Sequence, residues 1–578
     1  MNTLQKFIYP QNSNFGSEQK YLHKEGIVSI NKDSLKLKKG SSVKFDTYFN
    51  AFSLPLWKNK VEINSIELRI SGKGAVKVEL FQYSKKHQEE LKDSKIINLS
   101  EIEQVVFELS LLEYEGLIYP KISAIDVAEL RDIKWNTSDS VKRSVKLGIS
   151  VTHFERKAYI IPTISQIKKE LLYDPYWKKR IDFTVVDNSQ NITSEEANGI
   201  TVIPNKNTGG SGGFTRGLLY YKNDTDATHV LFMDDDANLE FESIKRAYRI
   251  LEYAPNDNSA VGADLFFDDA PDQLHERGGH INPWNMYKLI VSREHSDILS
   301  PKGLLEIETD KLPITYEGWW FFAFPISAVE KYSIPFLVRG DDITFPEMND
   351  FTIIFGLGIA SYGESYRTKT SLATLYLNTR NRLILNTMFN KNPFLGIMHF
   401  IRFSLVALIT LRWEDFEMMQ LAFKHYKNIS VENMIENAEM SYVFETIKSS
   451  SDKLREKYYK VDSNVKVILP PDNYDFLSIG SGMISSFFYK KGTQYHKDCL
   501  EINKNAIGFE KIIYVDDNGR GYEERASKAK TIKYLFVLFG NLIQYIGTFT
   551  VIKKRMMKNI NQLTSEQSWN GILEMKKE

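Results

Sequence analysis

Three consecutive carboxylates, Asp234, Asp235 and Asp236, close an apolar run that begins at His229. The run His-Val-Leu-Phe-Met predicts a strand, and alternation along it puts Asp234 and Asp236 on one side and Asp235 on the other. Two carboxylates on one side repel each other unless a cation sits between them. Hard oxygen ligands at this spacing suit Mg²⁺ or Mn²⁺, with a diphosphate filling the remaining positions. The plainer alternative is an acidic turn after a strand. A second acidic pair, Asp341 and Asp342, follows Val338-Arg339-Gly340. One carboxylate there could take the proton of an acceptor hydroxyl while a metal holds the leaving group. The alternative is a pair that caps a helix.

Two further segments have unusual composition. Asn205–Gly217 (NKNTGGSGGFTRG) is glycine-rich and leads toward an expected helix at Phe214–Lys222. Its glycines allow close backbone approach to a ligand, and a helix N-terminus can receive an anion. The glycine spacing matches neither a P-loop nor a dinucleotide fingerprint, so a flexible loop stays open as a reading. Tyr316–Pro325 carries the adjacent pair Trp319-Trp320. Two neighbours on a strand cannot both face one core, so one is expected to line a cleft where an indole packs on sugar C–H groups; the alternative puts both in the interior.

The elements that must position these residues fall into three regions. Val61–Ile70, Val76–Tyr83 and Val105–Leu112 alternate at period two, with Gly72 and Gly74 read as a turn between the first two. Regular short strands predict an all-β sandwich or jelly roll over residues 1–145. From Leu147 strands alternate with helical stretches: Leu147–Thr152, Pro162–Leu172, Asp182–Val186, Thr201–Ile203, Phe214–Lys222 and Thr228–Met233. That alternation predicts a parallel α/β sheet over 146–392. Residues 393–578 look mainly helical, with strongly apolar runs at Phe394–Leu411 and Tyr534–Ile552; Leu477–Tyr489 is ambiguous.

The 578 residues contain 74 basic and 74 acidic side chains, a balance that argues against a whole-chain polyanion binder. No motif suggests nucleic-acid binding. The single cysteine, Cys499, excludes an internal disulfide framework and a cysteine zinc site. The polar start Met1–Ser13 lacks a secretory pattern, and both features point to the cytoplasm.

Taken in order, the glycine-rich segment, Asp-Asp-Asp, Trp-Trp, Gly-Asp-Asp and Thr379-Arg380-Asn381-Arg382 resemble the inverting GT-A glycosyltransferases of family two. More narrowly they resemble the galactofuranosyltransferases that build bacterial galactans. Asp46–Ser53 (DTYFNAFS) and Trp57 resemble the amino-terminal β-domain of that group. The resemblance implies a Rossmann-like GT-A domain between the β-domain and a helical C-terminal domain. It implies transfer of galactofuranose from UDP-galactofuranose to a glycan or lipid-linked glycan, with Mn²⁺ or Mg²⁺ as cofactor. By position it gives Arg156, Asp187, Asn207 and Asp235 to the donor and Asp234 and Asp236 to the metal. It gives Glu276, Trp319, Trp320 and Asp341 to the acceptor, and the catalytic base to Asp342. The family's third metal ligand, a histidine, has no counterpart in Ile359–Tyr366; Gly363 falls near its place, with Glu364 next. Other donors, such as UDP-galactopyranose or dTDP-rhamnose, suit the same machinery. The rival from another class is a carbohydrate-binding scaffold with a decayed transferase domain.

Tyr534–Ile552 is 19 residues long and contains Asn541 and Gln544, with Lys528, Lys530 and Lys533 before it and Lys553, Lys554, Arg555 and Lys558 after it. Residues 520–578 hold 11 basic and 5 acidic side chains. An interfacial helix over 528–558, peripheral on the inner face of the cell membrane, fits this pattern better than a span. A helix buried on its own domain, or in a homo-oligomer contact, is the alternative.

Overall fold

The computed structural model describes residues 1–10, 15–281, 288–290, 296–365, 371–390, 392–436, 438–469, 489–498 and 506–575. Cys499 and residues 477–488 lie outside the described set.

The N-terminal region is all β. Its organising element is the strand Ser65–Ser84, 20 residues long. The first half pairs with Gln104–Ser110 and Ala128–Thr137, and the second half with Gln88–Leu99 and Leu117–Ala124. One strand therefore belongs to two sheets. Gly72 and Gly74, expected to mark a turn, lie inside it. At Gly74 φ is +92°, and a Cβ there would lie 2.4 Å from the carbonyl oxygen of Val127. The glycines bend the strand between sheets without breaking its ladder.

The second region is the expected α/β domain, built on a seven-stranded sheet. Its strands run, in spatial order, Thr201–Pro204, Ile181–Asp187, Leu147–His153, His229–Asp234, Phe322–Pro325, Ser259–Gly262 and Thr352–Ile354. The first four are parallel, and Phe322–Pro325 is antiparallel to both neighbours. The His229–Asp234 strand is buried on both faces. Val230 and Phe232 join a core with Phe214 and Trp319, while Leu231 and Met233 join the core shared with the N-terminal sheets. A three-stranded sheet of Asp264–Phe267, Ala270–Glu276 and Ala360–Gly363 lies beside it.

Two helices differ from expectation. The first begins at Lys157, earlier than expected, and holds Pro162 inside. The second is Gly209–Asn223, so the glycine-rich segment is helix rather than loop. Its glycines are packing residues. A Cβ on Gly213 would lie 2.2 Å from Thr152 Cγ2, and one on Gly217 would lie 1.9 Å from Ser150 Oγ. The helix can press onto the central strand Leu147–His153 only without those side chains.

The C-terminal region is mainly helical: Leu372–Phe389, Pro393–Ile409, Trp413–Lys427, Met440–Glu456, Lys528–Leu563 and Glu566–Ile572. It also contains a four-stranded sheet that the sequence pattern did not suggest. The strand Lys490–Lys497 (KKGTQYHK) in that sheet is polar on both faces and leaves no period-two signal.

Candidate active site

The carboxyl ends of the central strands open onto a cavity of about 740 Å³. Its wall includes Arg156, Asp234, Asp235, Asp236, Glu276, Trp319, Trp320, Asp341, Asp342 and Glu364. Residues from six separate stretches of chain thus meet at one place, where an open α/β sheet binds ligands. Two expected site residues stay outside it. Asp187 ends its strand, but its carboxylate accepts from the backbone N–H groups of Ser189, Asn191 and Ile192 at 2.8–2.9 Å. It shapes the following loop and borders a separate cavity of about 580 Å³. Asn207 accepts from Gly209 N at 3.1 Å, organising the start of the glycine helix.

Asp234 ends the strand and Asp235 and Asp236 lie in the turn after it, so the turn, and not strand alternation, separates the three carboxylates. Asp235 turns away to His153, whose Nδ1 lies 3.1 Å from Asp235 Oδ2. Burial lowers the His153 pKa, but the Asp235 and Asn191 contacts outweigh it and the net shift is upward. Asp234 and Asp236 face the cavity. Burial, then the charges of Asp236 and Asp235, push the Asp234 carboxyl up to about 8. A site with this imbalance favours a bound cation. Arg156 supplies one positive charge: it is ion-paired with Asp236 and lies 3.6 Å from Asp235 and 4.0 Å from Glu364. Among the described residues no group of three His, Cys, Asp or Glu side chains forms a metal cage. Asp234 and Asp236 would supply two oxygen ligands to a divalent cation, and the remaining positions would fall to water or to a ligand's own oxygens. Glu364 accepts from the Tyr159 hydroxyl at 2.5 Å on the same wall.

Asp341 and Asp342 start the helix Asp341–Met348, so they are helical rather than extended. The chain reaches them through strained backbone: φ is +76° at Leu337, +74° at Arg339 and +92° at Gly340. Such conformations persist only where the surroundings enforce them. Here Asn381 does so, its amide donating to the carbonyls of Phe336, Val338 and Arg339 at 2.9–3.3 Å. Ser211 Oγ donates to Asp341 at 2.9 Å from the glycine helix. Asp341 is thereby held against protein, and burial and the neighbouring Asp342 charge push its carboxyl up to about 7. Asp342 is the less buried member of the pair.

Trp319 and Trp320 lie in a turn, not a strand. Trp319 packs edge-on against Phe214 and Phe232, with centroids 5.0 and 5.3 Å apart, and forms the floor. Trp320 is partly buried and folds back over Gly318, where a Cβ would lie 2.1 Å from its ring. Glu276 is fully buried at the end of its strand. The sequence alone gives no role to His153, Ser211 or Asn381, although Ser211 lies in the glycine-rich segment and Asn381 in Thr379-Arg380-Asn381-Arg382.

Two family models match the chain: Galactofuranosyltransferase 2 N-terminal over residues 4–138, and Glycosyl transferase family 2 over residues 149–304. The chain carries a family-two glycosyltransferase domain. It resembles the galactofuranosyltransferases GlfT2 of Mycolicibacterium smegmatis and Mycobacterium tuberculosis, each 22% identical, over 66% and 69% of this chain. Both alignments span 65% of the mycobacterial protein. A solved structure of glucosyl-3-phosphoglycerate synthase from Mycobacterium tuberculosis aligns at 16% identity over 42% of this chain and 77% of that one. Its TM-score of 0.27 is too low to add to the fold reading.

Proposed function

We propose that the protein is an inverting glycosyltransferase that moves galactofuranose from UDP-galactofuranose to a glycan acceptor, lipid-linked and held at the inner face of the cell membrane. The observation that carries this reading is the convergence of Asp234, Asp236, Asp342, Glu276 and Trp320 on one cavity at the strand ends. Asp234 and Asp236 would hold Mn²⁺ or Mg²⁺, which when bound neutralises charge on the departing diphosphate. Arg156 lies beside these carboxylates, where it can pair with diphosphate oxygens. Asn207 and the loop shaped by Asp187 border the nucleoside end of the donor. Trp320 and Glu276 receive the acceptor sugar, and Trp319 supports them from beneath.

Asp342 is the base. The acceptor hydroxyl oxygen attacks the anomeric carbon from the face opposite the diphosphate. A C–O bond forms, the bond from the anomeric carbon to the diphosphate breaks, and the hydroxyl proton passes to Asp342. UDP leaves, and configuration inverts because displacement occurs once.

The test is a donor panel with a galactan-type acceptor, following UDP release and product linkage with and without Mn²⁺. Transfer from UDP-galactofuranose well above UDP-galactopyranose or dTDP-rhamnose is expected. No turnover with any donor, together with retained glycan binding, would replace this reading with a binding scaffold. Asp234→Ala and Asp236→Ala should weaken UDP binding in Mn²⁺ far more than in EDTA, because the lost oxygens act through the cation. Equal affinities across a Mn²⁺ titration would remove the metal assignment.

A further inference from the structure

The acidic turn after the strand His229–Asp234 is tied to a second strand end. Asn238 and Tyr362 form an antiparallel bridge, each backbone N–H donating to the other's carbonyl at 2.8 Å. Tyr362 belongs to the strand Ala360–Gly363. In an antiparallel pair, residues equally far from a bridge and on opposite sides of it face each other. Two residues before Asn238 is Asp236, and two after Tyr362 is Glu364. The register of the bridge therefore sets these two carboxylates against each other, and both line the cavity. Like charges so placed repel. Arg156 answers that repulsion: its Nη1 is ion-paired with Asp236 and its Nη2 lies 4.0 Å from Glu364 Oε2. One positive group already serves both carboxylates. Tyr159 aims Glu364 by donating to Oε1, which leaves Oε2 on the Arg156 side. A Cβ added at Gly363 would meet nothing within 4 Å, so the wall beside Glu364 is open.

We infer that Glu364 is a third protein ligand of the divalent cation, and that the all-carboxylate set Asp234, Asp236 and Glu364 biases the site toward hard cations. The inference rests on the metal reading above and adds a residue to it. Glu364 takes one of the positions otherwise left to water. The three carboxylates do not form a cage as they stand, because the Arg156 guanidinium lies between two of them. A diphosphate offers Arg156 another partner, so the guanidinium can turn aside where a divalent ion enters. Charge favours the exchange, since a doubly charged ion offsets more of the carboxylates' mutual repulsion than one guanidinium does. Oxygen-only coordination suits Mg²⁺, Mn²⁺ and Ca²⁺; it gives no advantage to Co²⁺ or Ni²⁺, which gain from a nitrogen ligand.

The test titrates the full chain with Mn²⁺ at fixed UDP, reading free Mn²⁺ by electron paramagnetic resonance against a blank of UDP alone. Glu364→Gln keeps an acceptor for Tyr159, and the Glu364 side chain is 38% exposed, so circular dichroism and melting temperature should not move. That variant should bind Mn²⁺ roughly tenfold or more weakly, while its UDP affinity in EDTA does not fall. Glu364→His should recover Mn²⁺ binding and raise Co²⁺ and Ni²⁺ affinity relative to Mg²⁺ by roughly tenfold over the parent. Its bound Mn²⁺ should show ¹⁴N coupling in spin-echo modulation that the parent lacks, a signal that neither a structural nor a distant electrostatic role produces. Weakened binding in Asp236→Ala with none in Glu364→Gln overturns this assignment and leaves the metal reading standing. Unchanged binding in both overturns the two together. A weakened Glu364→Gln whose histidine counterpart shows no ¹⁴N coupling also overturns the assignment, because the carboxylate then acts only through its charge.

Discussion

Asp341 and Asp342 are neighbours with different surroundings. Asp341 is bonded to Ser211 and buried, while Asp342 is the more open toward the cavity. Asp342→Asn should reduce turnover roughly 10²–10⁴-fold, the usual cost of losing general-base help, with donor affinity near the parent's. Asp341→Asn keeps an acceptor for Ser211 and should cost turnover far less. Both asparagines also cap helices well, so a capping role alone would leave both variants active. Turnover and UDP binding measured together separate the cases. If Asp341→Asn were the inactive variant, the base would be misassigned by one residue. The pair was visible in the sequence as a doublet; the partition of labour was not, because it comes from a serine 130 residues away.

The glycine helix brings local preference and tertiary packing into conflict. Replacing a helical glycine by alanine normally stabilises by about 1 kcal/mol. Gly217→Ala should instead destabilise, by about 1–3 kcal/mol, because the methyl would collide with Ser150 on the strand beneath. Denaturant unfolding gives the sign, and a stabilised variant would show that the helix does not press on that strand. The same conflict explains what the sequence showed and hid. The His229–Asp234 strand was legible because a continuous apolar run, buried on both faces, stops abruptly at an acidic turn. The glycine helix was misread as a loop because its glycines answer to Thr152 and Ser150 across the interface, not to neighbours in sequence. The loop before Asp341 was hidden for a related reason: Asn381 holds it across 42–45 residues, beyond any local pattern. The long C-terminal helix was read as one apolar run, and only packing separates its inner face from its outer one.

At the scale of the molecule, the N-terminal sheets do more than precede the transferase domain. Lys20 is fully buried, donates to the Tyr362 hydroxyl at 2.6 Å and Pro271 O at 2.7 Å, and lies 3.7 Å over the Phe266 ring. Tyr48 donates to Asp264 at 2.7 Å, and Asp264 is in turn paired with Arg277, next to Glu276. The N-terminal region therefore braces the small sheet that carries one wall of the cavity. Burial pushes the Lys20 pKa down to about 7, against attraction from Asp272, Asp264 and Glu240. Between that value and its unfolded one, the unfolded state binds more protons, so this group makes stability rise with pH above 7. Lys20→Met should remove that rise, changing the parent-minus-variant difference by of the order of 2 kcal/mol between pH 7 and 9. Chemical denaturation at several pH values reads it. A constant difference would mean that the ammonium stays protonated in the folded state.

The same bracing sets a schedule for synthesis. The N-terminal sheets can close once residue 137 has emerged, since Asn2 pairs with Thr137. Their docking face, with Tyr21, Tyr48 and Phe49, is covered in part by Tyr362. Roughly 220 more residues must therefore be made before that cover exists, about 10–45 s at ordinary elongation rates. For that interval the nascent chain displays a finished domain with a greasy side, and chaperones that recognise exposed aromatic surface have a defined window in which to hold it.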